Sequence, residues 1–230
     1  MGRSVVRAGA PRCDACRLPP RWCVCGAIPP VVAPCRVTLL MHRREQQRPS
    51  STGTLILRSV AGAQCHLYHR DLGPGAEEPL PVALPPGENV WLLHPQGEPV
   101  ASVWRADTPQ PLHVVLLDGS WSEAGEMLRA YEGKGRRVCL PPLGQSRYRL
   151  REQNVSAHMS TAEALLGILQ ALGAAEAEAR FRLHFELHVY ATLRARGKRQ
   201  EAESYLQSSP LAAAIPDFLD SLVAPRPRTA

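Results

Sequence analysis

Four apolar residues run without a break into an acid: Val114-Val115-Leu116-Leu117-Asp118, followed by Gly119-Ser120-Trp121. A strand built from such a run has no solvent face. It must be covered on both sides, as strands inside a parallel sheet are. From Trp121 to residue 132 the period changes, and Ala124, Met127, Leu128 and Tyr131 recur at helical spacing. The chain therefore passes from buried strand to helix at Asp118-Gly119. Open α/β sheets take ligands at the carboxyl ends of their strands, which makes Asp118 a candidate site residue. A plainer role competes: Asp and Ser both favour helix N-caps, so Asp118 or Ser120 also fits as a cap.

The rest of the pattern is consistent with this start. Apolar runs at 36–41, 64–68, 90–94, 113–117 and 137–140 read as strands, alternating with a helix at 52–61 and the one after Ser120. Ser160 and Glu163 form a capping box ahead of Ala162, Leu165, Leu166, Leu169 and Leu172 at helical spacing, with a stop at Gly173. A second long helix covers 174–196. Such alternation predicts an α/β fold, a mostly parallel sheet with helices on both faces. No Gly-x-Gly-x-x-Gly or phosphate-binding loop motif is present, so an ordinary dinucleotide or nucleoside-triphosphate site is not supported. Residues 1–12 read as disordered, 71–88 as a Pro-, Gly- and Glu-rich surface loop, and the tail beyond Ser208, with Pro225 and Pro227, as frayed. The expected organisation is a cysteine module at 13–35, a main α/β domain at 36–200 and a tail at 201–230.

Cys13-x-x-Cys16 and Cys23-x-Cys25 fall within one short segment. Two close thiol pairs suit tetrahedral zinc, held by four thiolates at structural sites, while redox or unligated thiols remain open. Cys35, Cys65 and Cys139 have apolar neighbours and read as small buried hydrophobes. His184 and His188 are four apart on a helix, but no third ligand stands near them in sequence, so a metal there is not expected.

A formal net charge of +6, carried mostly by arginine, favours a polyanionic partner. Apolar runs fall far short of a membrane span, and the N-terminus lacks a signal-peptide pattern. The expectation is a cytoplasmic protein with no membrane contact and no obligate protein partner. Arg147, Arg149 and Arg151 alternate around Tyr148 in a segment read as extended, where side chains two apart share a face. They form a candidate phosphate rail, with a solvated face as the ordinary alternative.

Four segments occur in a telling order. They are Leu39-Leu40-Met41-His42-Arg43-Arg44-Glu45 running on to Arg48-Pro49-Ser50-Ser51-Thr52-Gly53-Thr54; Asp118-Gly119-Ser120-Trp121; Ser146 to Arg151; and Ser160-Thr161-Ala162-Glu163-Ala164. Together they resemble the DTW-domain family, named for an Asp-x-Thr-Trp motif, whose members include tRNA-uridine aminocarboxypropyltransferases. The resemblance covers roughly residues 13 to 195. Ser120 stands where Thr is usual, which keeps the hydroxyl and loses a methyl.

The resemblance implies a SPOUT-like fold with a C-terminal knot, a structural zinc at the four cysteines and tRNA as partner. It also implies S-adenosylmethionine (SAM) as donor of an aminocarboxypropyl group to uridine N3, in bacterial members at a variable-loop uridine. Asp118 is then the candidate general base or orienting acceptor, supported by Ser120, with Trp121 walling the pocket or stacking on a base. His42, Glu45, Thr52, Ser160 and Thr161 are expected around the SAM pocket, with Thr52 and Thr54 capping a helix. Leu93-His94-Pro95, Leu117, Gly119, Leu140 and Pro142 are expected there too. Arg43, Arg44, Arg147, Tyr148, Arg149 and Arg151 are the expected RNA contacts. Two alternatives remain: a SPOUT-type RNA methyltransferase, and a catalytically silent zinc-containing RNA-binding protein.

Overall fold

The computed structural model describes residues 11–68, 89–105, 111–131, 133–151 and 159–224. The expected disorder at 1–10, the loop at 71–88 and the last residues of the tail lie outside these.

Among the described residues, five strands form one sheet: β1 (Arg36–His42), β2 (Gln64–Tyr68), β3 (Asn89–Pro99), β4 (Leu112–Asp118) and β5 (Arg136–Cys139). Their order is β2-β1-β4-β3-β5, and every pairing is parallel. The run that opened the sequence reading is the middle strand. Val114, Val115 and Leu116 are each at most 1% exposed, because both faces are covered. Val114 and Leu116 belong to one core cluster and Val115 to a second, on alternate faces as a strand dictates.

The second cluster is closed by α3 (Trp121–Ala130), through Met127, Leu128 and the following Tyr131. The first is closed by α1 (Thr52–Ser59), α4 (Thr161–Ala171) and α5 (Ala175–Ala195). Leu165, Leu169, Phe181 and Phe185 are its centre, each at most 1% exposed.

Three differences from the sequence reading have physical causes. β3 runs on to Pro99 with an irregular pairing between Leu93 and Glu98, so Pro95 sits where the ladder is interrupted and its missing N–H costs nothing. The cysteine module, read as a unit of its own at 13–35, shares the main core: Leu18, Val24, Ile28 and Val31 are buried in that cluster. From Ser208 to Ala224 the tail does not fray. After α2 (Val100–Val103), at the end of β3, and α6 (Arg199–Gln207) come α7 (Leu211–Ala214) and α8 (Pro216–Val223). Leu211, Leu219 and Leu222 bury there, and Pro216 opens α8, where a proline's missing N–H is harmless. Cys35 and Cys65 are half-buried against the core.

Candidate active site

β1 and β4 lie side by side, but the chain leaves them in opposite directions: from β1 through α1 to β2 at one edge, and from β4 through α3 to β5 at the other. Neighbouring strands whose connections diverge open a crevice at their carboxyl ends. Asp118, the last residue of β4, stands in it, paired in register with Met41 of β1.

Asp118 is 4% exposed yet lines a cleft of about 560 Å3, a volume suited to a small molecule of cofactor size. The Ser51 hydroxyl donates to its Oδ2 (3.1 Å) and the Thr161 hydroxyl to its Oδ1 (2.6 Å). Burial pushes its carboxyl above the ordinary range, against these two bonds. The backbone makes room for it at Gly53: a Cβ there would come within 2.6 Å of Asp118 Cγ and 2.9 Å of Met41 Cε. A buried carboxyl with an elevated proton affinity, opening on a cleft, is the physical profile of a general base.

Helix capping falls elsewhere. Ser120 is the N-cap of α3, its Oγ accepting from Glu123 N while the Glu123 carboxylate accepts from Ser120 N at 2.7 Å. Ser120 therefore does not brace Asp118 as expected; Ser51 and Thr161 do. Ser51 was missed, although the run Ser50-Ser51-Thr52-Gly53 ahead of a helix was its signal. Ser51, not Thr52 or Thr54, caps α1, accepting from Thr54 N (3.2 Å). Thr52 Oγ1 instead accepts from Ala162 N, tying α1 to α4.

The cleft gathers most of the residues expected around a cofactor: Thr52, Leu93, His94, Pro95, Leu117, Gly119, Leu140, Pro142, Ser160 and Thr161. Ser120 and Trp121 line it too, and Trp121 is 46% exposed at its mouth. Two expected residues do not line it. Glu45 is buried in an ion-pair network with Arg48 (2.5 Å) and Arg151 (2.5 Å), and His42 Nδ1 meets Glu123 Oε1 at 3.1 Å.

The arginine rail is also corrected. Arg147 is spent on Glu186, with 2.5 and 2.6 Å bonds, and stacks on the Tyr205 ring at 4.5 Å. Arg151 is held by both oxygens of Glu45. Tyr148 is buried, its hydroxyl donating to Ser50 O at 2.5 Å, and burial raises its pKa to about 12. It lines the cleft rather than the outer surface. Arg149, Arg43 and Arg44 remain exposed.

A second acid organises this segment. Glu163 fulfils the expected capping box on α4, accepting from Ser160 N at 2.8 Å. It also accepts from the Ser146 hydroxyl (2.8 Å), Arg147 N (2.7 Å) and Tyr148 N (3.3 Å). One buried carboxylate thus pins residues 146–148 to the helix whose first residue holds Asp118.

At the other end of the first core, Cys13, Cys16, Cys23 and Cys25 bring all four sulfurs within 4.8 Å of one another. Cys13 Sγ lies 3.6 Å from Cys25 Sγ, and Cys16 Sγ 3.9 Å from Cys23 Sγ. A zinc–sulfur bond of about 2.3 Å in a tetrahedron demands sulfurs about 3.8 Å apart, so the four residues fit the metal. The Cys16 backbone N–H holds the Cys13 thiol down at about 7, while burial pushes Cys25 up. His184 Nε2 is paired with the Pro29 carbonyl oxygen (3.0 Å).

Comparison with known proteins gives the family. A tRNA-uridine aminocarboxypropyltransferase 2 from Drosophila melanogaster is 25% identical over 166 residues, covering 66% of this chain and 62% of that protein. The chain thus spans under two thirds of that relative's length. No solved structure matches the chain significantly. The DTW domain model matches residues 10–194, from the cysteine module through both Asp118 and Thr161 to the end of α5, and the chain belongs to the DTW-domain family.

Proposed function

We propose that this protein transfers the 3-amino-3-carboxypropyl group of SAM to N3 of a uridine in tRNA. A buried carboxyl of raised proton affinity, braced by two hydroxyls at the floor of a cleft, is the single observation that carries this reading. The family membership and the named relative support it.

Uridine N3 carries a proton and is a poor nucleophile until it loses it. In the proposed step Asp118 accepts that proton. N3 then attacks the γ-carbon of the amino-acid arm, the carbon–sulfur bond breaks, and its electron pair leaves with sulfur as neutral 5′-methylthioadenosine. A sulfonium activates each carbon bound to it, so choosing the γ-carbon over the methyl is a matter of positioning. Leu93, Pro95, Leu140 and Pro142 supply the apolar walls for adenosine. Trp121, at the mouth, supplies a ring face for the uracil. Arg149 and Arg43 are exposed and available to phosphates, and Arg44 is exposed beside them, 3.7 Å from Glu123.

The SPOUT-like knotted topology belongs to the same proposal. Its support is the return of the chain after edge strand β5, which brings Ser146–Arg151 and Thr161 back to the ends of β1 and β4. Structural zinc at the cysteine module belongs to it too, on the sulfur spacing. A tRNA substrate fits a cytoplasmic protein, and no helix of the described residues is long and apolar enough to cross a membrane.

The test is the adenosine product. Incubation with SAM and unmodified tRNA should release 5′-methylthioadenosine in step with transfer. Release of S-adenosylhomocysteine instead would identify methyl transfer and refute the proposal.

A further inference from the structure

Arg58 lies in the last turn of α1, and its Nε and Nη2 are buried without a hydrogen-bond partner. A buried guanidinium is costly unless an anion faces it. Among the described residues no carboxylate takes that place. The groups that favour its charge are the four sulfurs, Cys25 first, then Cys16, Cys23 and Cys13, against a burial that disfavours it. His184 and His188 of α5 feel the same positive charge, and burial first of all keeps both neutral. The backbone fixes this neighbourhood: Val31 N donates to Ser59 O at 2.7 Å and Ala61 N to Val31 O at 2.8 Å, closing the cysteine module onto the end of α1.

We propose that Arg58 is the built-in counter-charge of a zinc–tetrathiolate centre at Cys13, Cys16, Cys23 and Cys25. This rests on the reading that the cluster holds zinc. Four thiolates around one divalent zinc carry two excess negative charges, and Arg58 offsets one of them from the protein side. It is a positioning residue that acts through the metal centre, as a buried charge beside a module that the Val31 bonds close onto α1. When the metal is absent the tetrathiolate charge goes with it, and the same guanidinium stays buried with its Nε and Nη2 unpaired. Arg58 therefore stabilises the metal-bound protein and burdens the metal-free one. α1 joins this centre to the catalytic cleft, since Ser51 at its N-cap and Gly53 in its first turn seat Asp118.

The test compares the full-length wild type, R58M and R58K. Zinc content, zinc transfer to a chromogenic chelator, and urea unfolding with and without zinc under reducing conditions are measured for each. The wild type should hold about one zinc. R58M should bind zinc about 10–100-fold more weakly, the usual loss for a group that supports metal ligands. R58K should stay within a few-fold of the wild type, because it keeps the charge. Metal-free R58M should be at least as resistant to urea as metal-free wild type. Wild-type zinc affinity in R58M, or an equal loss in R58K, would overturn the proposal while leaving the zinc reading intact. So would an R58M chain equally destabilised with and without zinc, which is the mark of a packing role. A wild type that takes up no zinc would remove the metal reading and this proposal together.

Discussion

Asp118→Asn separates catalysis from stability. The two hydroxyls that face the carboxylate are not equivalent. Ser51 Oγ already accepts from Thr54 N and Thr54 Oγ1, so its own proton must go outward to residue 118. Thr161 Oγ1 faces Oδ1 at 2.6 Å and can turn to accept. An asparagine therefore fits with its oxygen toward Ser51 and its amide toward Thr161, and both bonds survive. What is lost is charge assistance, about 1 kcal/mol on the scale of neutral against ionic hydrogen bonds.

What is gained is relief from burying a charge. Burial raises the proton affinity of Asp118, so the folded protein holds this proton to higher pH than the unfolded chain does. Its contribution to stability is full below the ordinary carboxylate range and declines as pH rises through the folded value. Asp118→Asn removes that decline. Its urea midpoint should match or exceed the wild type at neutral pH, and the advantage should shrink as pH falls toward 4. Single-turnover transfer should fall by roughly 10²–10⁴-fold, the range for losing a positioned base, with SAM and tRNA affinities little changed. Near-wild-type single-turnover rates would refute the role of Asp118. A large stability loss at neutral pH would refute the reasoning about its burial.

Gly53→Ala should cost about 1–3 kcal/mol in urea unfolding and most of the transfer activity, because the new methyl falls on Asp118 and Met41. Ser120→Ala should lower the melting temperature through loss of a cap worth about 1 kcal/mol, with a modest rate effect, while Ser120→Thr stays close to wild type in both. Arg147→Ala leaves Glu186, 1% exposed, without its partner, so it should destabilise the protein by about 3–5 kcal/mol in chemical unfolding. Arg149→Glu should leave stability unchanged and weaken tRNA binding with a shallower salt dependence, read by filter binding across a salt series.

What the sequence made legible follows from how local each signal is. β4 and the turn at Asp118 were readable because an unbroken apolar run meeting a helical period admits few structures. The capping box at Ser160 was readable because its two residues are three apart. The Arg147–Arg151 segment misled because its carboxylates are remote: Glu186 is 39 residues from Arg147 and Glu45 is 106 residues from Arg151. Alternating arginines look like a phosphate rail when the acids that neutralise them lie on other elements. Ser51 was hidden for the same reason, 67 residues from the acid it braces. The C-terminal helices were hidden because the tail was read from Pro225 and Pro227, while Pro216, at a first helical position, was a start signal left unread.

The fate of the uridine decides the proposed function. Unmodified tRNA would be incubated with protein and SAM labelled with carbon-13 in the amino-acid arm, then digested to nucleosides and analysed by mass spectrometry. Aminocarboxypropyl transfer would leave one uridine heavier by the labelled group, fragmenting with the label on the base, and at least a hundredfold less of it with Asp118→Asn. Unlabelled uridine carrying only a methyl, or no modified uridine from a zinc-replete protein that binds both SAM and tRNA, would contradict it.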